Sequence, residues 1–269
     1  MGAELFEQIV QAAQFSSHSH RSQSRSGGEP YFNHPARVAR LVQPHVDDTE
    51  IGAAVIAAAY LHDVMEDCGV SEETLRMEGF WASTIILVRE LTDDPAWTRD
   101  LRKQHQAQKM AKTRFPDACL VKVCDQIDNL ASLHRLLGES HEAERNNIAV
   151  VARCTRYLEG SRLVVDACIA RPGVIPEQLQ RTYHVVSDAL RSAIGPMCWV
   201  PVQGGGLRRT GYPDGIMSWE EHLVVYEAYA AKYGRAQSPM RIAERGGFGR
   251  DEAETLIGRP LTTWKAVPR

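Results

Sequence analysis

Apolar positions recur at helical spacing along most of this chain. Phe6, Ile9, Val10 and Ala13 form a first stripe at intervals of three and four. Val38, Leu41 and Val42 mark a second helix, with Pro35 just inside its start, where a fixed φ and a missing N–H are tolerated. Residues 50–67 read as a central helix. Its segment 51–61, Ile-Gly-Ala-Ala-Val-Ile-Ala-Ala-Ala-Tyr-Leu, is apolar on every side, as expected of a helix surrounded by neighbours. Ser71 predicts the cap of a short helix with Glu72 and Glu73 in its first turn. Further helices are expected over 81–91, 99–111, 116–136, 141–170 and 176–194. No clear run of alternating β-branched residues appears. Residues 1–195 therefore read as one all-α domain.

The pattern changes near residue 195. Trp199-Val200-Pro201-Val202 leads into Gly204-Gly205-Gly206 and Gly211-Tyr212-Pro213, which reads as linker or loop. A helix over 218–233 would carry Trp219, Leu223, Tyr226, Ala230 and Tyr233 on one face, with short helices near 239–245 and 250–257 after it. Residues 196–269 are thus expected to be a linker and a small, mostly helical appendage. Its apolar face would pack on the chain's own helical domain, on a second subunit in a homo-oligomer, or on another partner.

Composition narrows the class. The chain has 269 residues, 43% of them hydrophobic, enough to bury a sizeable core. A net charge of −3 gives no reason to expect nucleic acid or an anionic membrane surface. The start, with Glu4 and Glu7, lacks a signal peptide's basic head and long apolar run. The apolar run 51–61 is too short to span a bilayer. The six cysteines are scattered without a C-x-x-C pair, so reduced, buried thiols are expected. Together these point to a cytoplasmic protein.

The chemistry is concentrated where the central helix ends. His62, Asp63, Glu66 and Asp67 follow directly on the alanine-rich run, with His62 and Glu66, and Asp63 and Asp67, four residues apart. Charge leaving a buried helix is costly unless it is paired or metal-bound. With His34 upstream and Asp125 downstream, the set suggests a His/His/Asp/Asp site for a divalent transition metal such as Mn, Fe, Zn or Co. Such an ion would polarise a phosphorus centre and lower the pKa of bound water. Glu66 and Asp67, one turn on, would orient or deprotonate that water. Asp128 and Asn129 share the helix face of Asp125, and Asn129 offers both donors and acceptors to a sugar or phosphate.

The pattern His…His-Asp…Asp resembles the HD phosphohydrolase superfamily, and most closely its alarmone hydrolases: the hydrolase domain of Rel/SpoT proteins and the small alarmone hydrolases. Residues His20 to Pro35, ending Pro30-Tyr31-Phe32-Asn33-His34-Pro35, are similar to that family's H-x-G-Q-x-R-K-x-G-x-P-Y-x-x-H-P stretch. Leu61 to Asp67 resembles its L-H-D-x-x-E-D. Leu91-Thr92-Asp93-Asp94 and Arg102-Lys103-Gln104 look like its middle segment, and Lys122 to Leu130 looks like its K-x-x-D-x-x-x-N-L. Arg153 and Tyr157 match a late R-x-x-x-Y pair. The resemblance covers about residues 1–195 and not the tail. The chain departs from it at several positions, among them Ser26, where the family has Lys, and Ala131, where it often has Arg.

The resemblance implies an HD-domain helical bundle that removes the 3′-pyrophosphate from ppGpp or pppGpp. His34, His62, Asp63 and Asp125 would hold the metal, usually Mn²⁺, with Glu66 and Asp67 activating water. Arg25 would lie against the purine, Asn129 and Ser132 near the nucleoside, and Lys103, Arg153 and Tyr157 near the phosphates. Three other readings stay open: an adenine alarmone such as ppApp as substrate, another HD nucleotide phosphohydrolase, and a nucleotide-binding regulator without turnover.

Overall fold

The structure, a computed structural model, describes residues 2–97, 101–139, 148–194, 198–202, 206–210, 215–216, 224, 228, 250–262 and 265–266. The chain divides into two compact units, one made of residues 1–136 with 159–187 and the other of 137–158 with 188–269.

The first unit is helical. In chain order it comprises α1 (Ala3–Ser19), α2 (Asn33–Val42), α3 (Glu50–Leu61), α4 (Val64–Cys68), α5 (Glu72–Met77), α6 (Ala82–Leu91) and α7 (Arg102–Lys112). Most of α8 (Pro116–Glu139), the later part of α9 (Ile148–Ile169) and the earlier part of α10 (Glu177–Ile194) complete it. The helix α3 sits at its centre, with α1, α2 and α6 packed on it. Residues 52–59 and Leu61 are buried around its whole circumference, which is why the sequence shows no polar face there. The Thr49 hydroxyl accepts the Gly52 N–H at 3.1 Å and caps its start. A side chain at Gly52 would put its Cβ 2.0 Å from the Asp47 carbonyl oxygen, so this close approach requires glycine. Ser71 caps α5 as expected, accepting from Thr74 N at 3.0 Å.

Two expectations change here. The helix read over 50–67 is broken at His62-Asp63, which separate α3 from α4, and α4 then ends on Gly69 at φ 67°. The stripe Phe6, Ile9, Val10, Ala13 is not the buried face of α1. That face is Gln8, Ala12 and Ser16, short or polar residues that let α1 approach the alanines of α3 closely. Gln8 is satisfied by Gly79 O and Trp81 N, both at 3.3 Å. The Phe6 stripe instead lines an open groove of about 560 Å³ together with Ala36, Ile56 and Tyr60, and Phe6 is 59% exposed.

The second unit contains strands where the sequence reads as linker. β1 (Cys198–Val202) pairs antiparallel with β2 (Gly206–Thr210), and β3 (Gly215–Ile216) with β4 (Lys265–Ala266). Pro201 hides the first of these, because proline is poor inside a sheet yet acceptable in a two-stranded pair with open edges. The helix expected over 250–257 is present as α11 (Arg250–Ile257). The helix expected over 218–233, with its Trp219, Leu223, Tyr226 and Tyr233 face, lies outside the described residues apart from Val224 and Ala228, as does the one near 239–245. Cys68, Cys119, Cys124, Cys154 and Cys168 are free thiols, Cys68 half-buried and the other four buried. Among the described residues, no helix is long and apolar enough to cross a membrane.

Candidate metal centre

The break after α3 turns His62 and Asp63 toward one point. The His62 Nδ1–H donates to the Ala59 carbonyl at 2.8 Å, which leaves its Nε2 free. The second imidazole, His34, comes from the first turn of α2, and its Nε2 lies 3.2 Å from that of His62. Asp63 Oδ2 is 3.1 Å from His62 Nε2 and 3.6 Å from His34 Nε2. His34, His62 and Asp63 each offer a ligand atom, all within 4.8 Å of one another. Asp125, from the middle of α8, brings its Oδ1 to 3.3 Å from His34 Nε2 and 3.9 Å from His62 Nε2.

These spacings suit a shared cation. Ligand atoms about 2.1 Å from one ion stand about 3.0–3.4 Å apart at its octahedral or tetrahedral edges. Two imidazole nitrogens with two carboxylate oxygens form a donor set for a divalent transition metal, as the sequence suggests. Both imidazoles are almost fully buried, 2% exposed.

Charge is balanced from behind. Burial alone would depress the His34 pKa. Its hydrogen bonds to the Asp125 and Asp128 carboxylates, which accept, and the charge of Asp63 outweigh it and hold the group at about 9. Burial likewise opposes charge on His62, and Asp63 overcomes it. Asp125 is driven well below the usual carboxylate range despite its burial, chiefly by Lys122 and the two imidazoles. Lys122 is itself buried and lies 3.5 Å from Asp125 Oδ2, which also accepts the Gln126 amide at 2.8 Å. A divalent ion would take over the protons' role in neutralising these carboxylates.

Glu66 and Asp67 leave α4 in different surroundings. Arg102 donates to Glu66 Oε1 at 2.8 Å, and burial followed by the nearby charge of Asp93 raises the Glu66 pKa. Asp67 accepts the Tyr31 hydroxyl at 2.6 Å, and the same hydroxyl lies 2.9 Å from Asp63 Oδ2. Tyr31 thus ties a candidate ligand to a candidate base, a role its place in the Pro-Tyr motif does not reveal.

Arg25, Asn129 and Ser132 are brought together. The Arg25 guanidinium donates to Asn129 Oδ1, to Asp128 Oδ2 at 3.1 Å and to Ser132 Oγ at 3.5 Å. The Asn129 amide in turn donates to Asp125 Oδ1. Lys103 reaches the residue next to Asp125. Its Nζ donates to Gln126 Oε1 at 3.0 Å, its stem lies against Gly160, and burial lowers its pKa to about 8. Arg153 and Tyr157, four apart on α9, belong to the second unit, Arg153 exposed and Tyr157 half-buried. Gln126, Asp128, Arg37 and Arg102 were not assigned roles from sequence. Arg37 is one turn past His34 and Asp128 one turn past Asp125, so helical spacing is the signal that points to those two.

Comparison with known proteins follows the same lines. Residues 12–153 match the HD domain family. The chain is 39% identical over 173 residues to the guanosine-3′,5′-bis(diphosphate) 3′-pyrophosphohydrolase MESH1 of Mus musculus, covering 63% of this chain and 94% of that protein. It is 37% identical over 147 residues to MESH1 of Homo sapiens, covering 54% and 79%. Among solved structures, it is similar to one described as a metazoan ortholog of SpoT that hydrolyses ppGpp and plays a role in starvation responses. That likeness has a TM-score of 0.54 at 28% identity and covers 66% of this chain and 93% of that one.

Proposed function

From the premise that this chain belongs to the HD domain family, we propose that it is a metal-dependent pyrophosphohydrolase acting on ppGpp and pppGpp. Water adds across the bond between the ribose O3′ and its phosphorus. The water oxygen bonds to that phosphorus, the O3′–P bond breaks, and O3′ leaves with a proton, giving GDP or GTP and pyrophosphate. The observation that carries this reading is the approach of His34 and His62 Nε2 to Asp63 and Asp125 within 3.1–3.9 Å.

His34, His62, Asp63 and Asp125 would hold the ion, Mn²⁺ in this reading, with other divalent transition metals as alternatives. When bound, it supplies a Lewis acid for the phosphoryl oxygens and a more acidic water. Glu66, whose carboxyl is raised by burial and by Asp93, takes the water's proton. Asp67, held by Tyr31, orients the water. Arg25 presents a planar guanidinium to the purine, with Asn129 and Ser132 beside the nucleoside. Lys103 supplies positive charge on the phosphate side. Residues 1–195 are proposed to carry the chemistry, with residues 196–269 as a separate appendage.

The test is release of pyrophosphate by the full chain, with and without Mn²⁺, from 3′-pyrophosphorylated guanine and adenine nucleotides. Metal-dependent release from ppGpp is expected. A protein that binds ppGpp without releasing pyrophosphate would be a regulator instead, and a preference for ppApp would change the base.

A further inference from the structure

His34 is held from both sides by one helix. Asp125 of α8 faces its Nε2, and Asp128, one turn further along α8, places Oδ2 2.7 Å from its Nδ1. An imidazole whose Nδ1–H is given to a carboxylate has its Nε2 lone pair free for a metal, and the carboxylate makes that nitrogen a better donor. Asp128 does more than face His34. Its Oδ2 also accepts from Arg25 at 3.1 Å and from Arg37 Nη2 at 3.2 Å, and its Oδ1 accepts from Arg37 Nε. Arg37 is fixed in turn by Glu29, which also receives Asn33 at 3.2 Å and Arg135 at 3.3 Å. The carboxylate is 5% exposed, while Arg25 and Arg37 keep 19% and 28% of their side-chain surface. Arg25 therefore keeps part of its surface open while its Nη1 shares the Asp128 carboxylate with a candidate metal ligand, its Nη2 going to Asn129.

We propose that Asp128 is a positioning residue that couples the two halves of the site, orienting His34 toward the metal and Arg25 toward the nucleoside, with Arg37 and Glu29 holding Asp128 in place. This rests on the pyrophosphohydrolase reading for the nucleoside half only. The metal half stands on geometry alone. Asp128 touches neither ion nor substrate; its effect passes through His34 and Arg25. A structural role would be to pin α2 to α8, and that role would lower stability without touching metal affinity.

The experiment measures Mn²⁺ affinity of the full chain by competition with a chromophoric chelator, together with KM, kcat at saturating Mn²⁺, and the melting temperature. Asp128→Asn keeps the shape and an acceptor but removes the charge. It is expected to weaken Mn²⁺ binding about 10–100-fold, the range for losing such a supporting carboxylate. At saturating metal its KM should rise severalfold with kcat changed less, since Arg25 contributes binding that is equal in ground and transition states. Arg37→Lys, which leaves the charge on Asp128 but loses the paired contact, should move both quantities the same way by less. Asp128→Asn with wild-type Mn²⁺ affinity overturns the proposal, whatever its melting temperature. If that variant does not fold, Arg37→Lys decides: weaker Mn²⁺ binding supports the coupling, and unchanged binding overturns it. A wild-type chain that takes up no divalent metal overturns it as well. A wild-type chain that loads Mn²⁺ and releases no pyrophosphate overturns the proposed reaction, and the affinity comparison still decides the role of Asp128.

Discussion

The two flanks of the candidate metal centre are built differently. On the α3 flank, His62 is fixed by a backbone group, the Ala59 carbonyl three residues before it. On the α2–α8 flank, His34 is fixed by a side chain, Asp128, which depends on Arg25, Arg37 and Glu29. A carbonyl in a packed helix is not removed by substitution, so the support of His62 does not depend on a neighbouring side chain. The second flank can be altered several residues away from the ion.

The largest expected effect is on the first flank. His62→Ala should lose bound metal and turnover together, read as metal content of the purified protein and as pyrophosphate release. Retained metal would show that Asp63, His34 and Asp125 suffice and that the flanks are less unequal than they look. Next are the groups one turn on. Glu66→Gln should keep the metal and lower kcat about 10²–10⁴-fold if it takes the water's proton. Equal metal loss would make Glu66 a ligand and extend the first flank into α4.

Tyr31→Phe tests the one hydroxyl that joins Asp63 to Asp67. A hydrogen bond to a charged group is worth about 1.5–3 kcal/mol, less where one partner is exposed as Asp67 is. A fall in kcat of about tenfold with metal retained is expected, and unchanged kcat would remove Asp67 from the orienting role. The smallest effect is one of stability. Lys103 is held at about 8, below its ordinary 10.5, so the unfolded chain binds more protons between these values. The cost of burying its charge is fully present below about pH 8, and stability should rise from there toward pH 10.5. The slope is at most about 1.4 kcal/mol per pH unit. In urea titrations at pH 8 and 10, Lys103→Met should flatten that rise. An equal rise in the variant would assign it to other groups.

Much of this was legible in the sequence because it depends on local spacing. The helices over 82–91, 116–139, 177–194 and 250–257 follow periodic apolar positions, and the all-α class of the helical domain follows from them. The convergence of His34, His62 and Asp63 was readable because a His-Asp pair at the end of an all-apolar helix has few other ways to be accommodated. What was not legible depends on tertiary geometry. The break at His62-Asp63 contains neither glycine nor proline and leaves no punctuation in the chain. Asp128 acts on His34 from 94 residues away, so its function exists only once α2 and α8 are side by side. The Phe6 stripe gives the helix α1 but not its packing, because α1 turns Gln8, Ala12 and Ser16 inward and leaves Phe6 exposed. The strands over 198–202 and 206–210 were obscured by Pro201 and the glycines between them.

The alanines of α3 have one more consequence. With Ala53, Ala54, Ala57, Ala58 and Ala59 at or near zero exposure, much of the surface that α3 buries consists of methyl groups. Long side chains can change rotamer and let a packed interface breathe; a methyl group has no rotamers to change. The end of α3 that carries His62 and Asp63 is therefore attached to a buried helix with few side chains able to change rotamer. The spacing between ligands should change little on heating until the unit unfolds as a whole. Metal affinity should accordingly fall abruptly at the melting transition, with no gradual loosening of the centre beforehand.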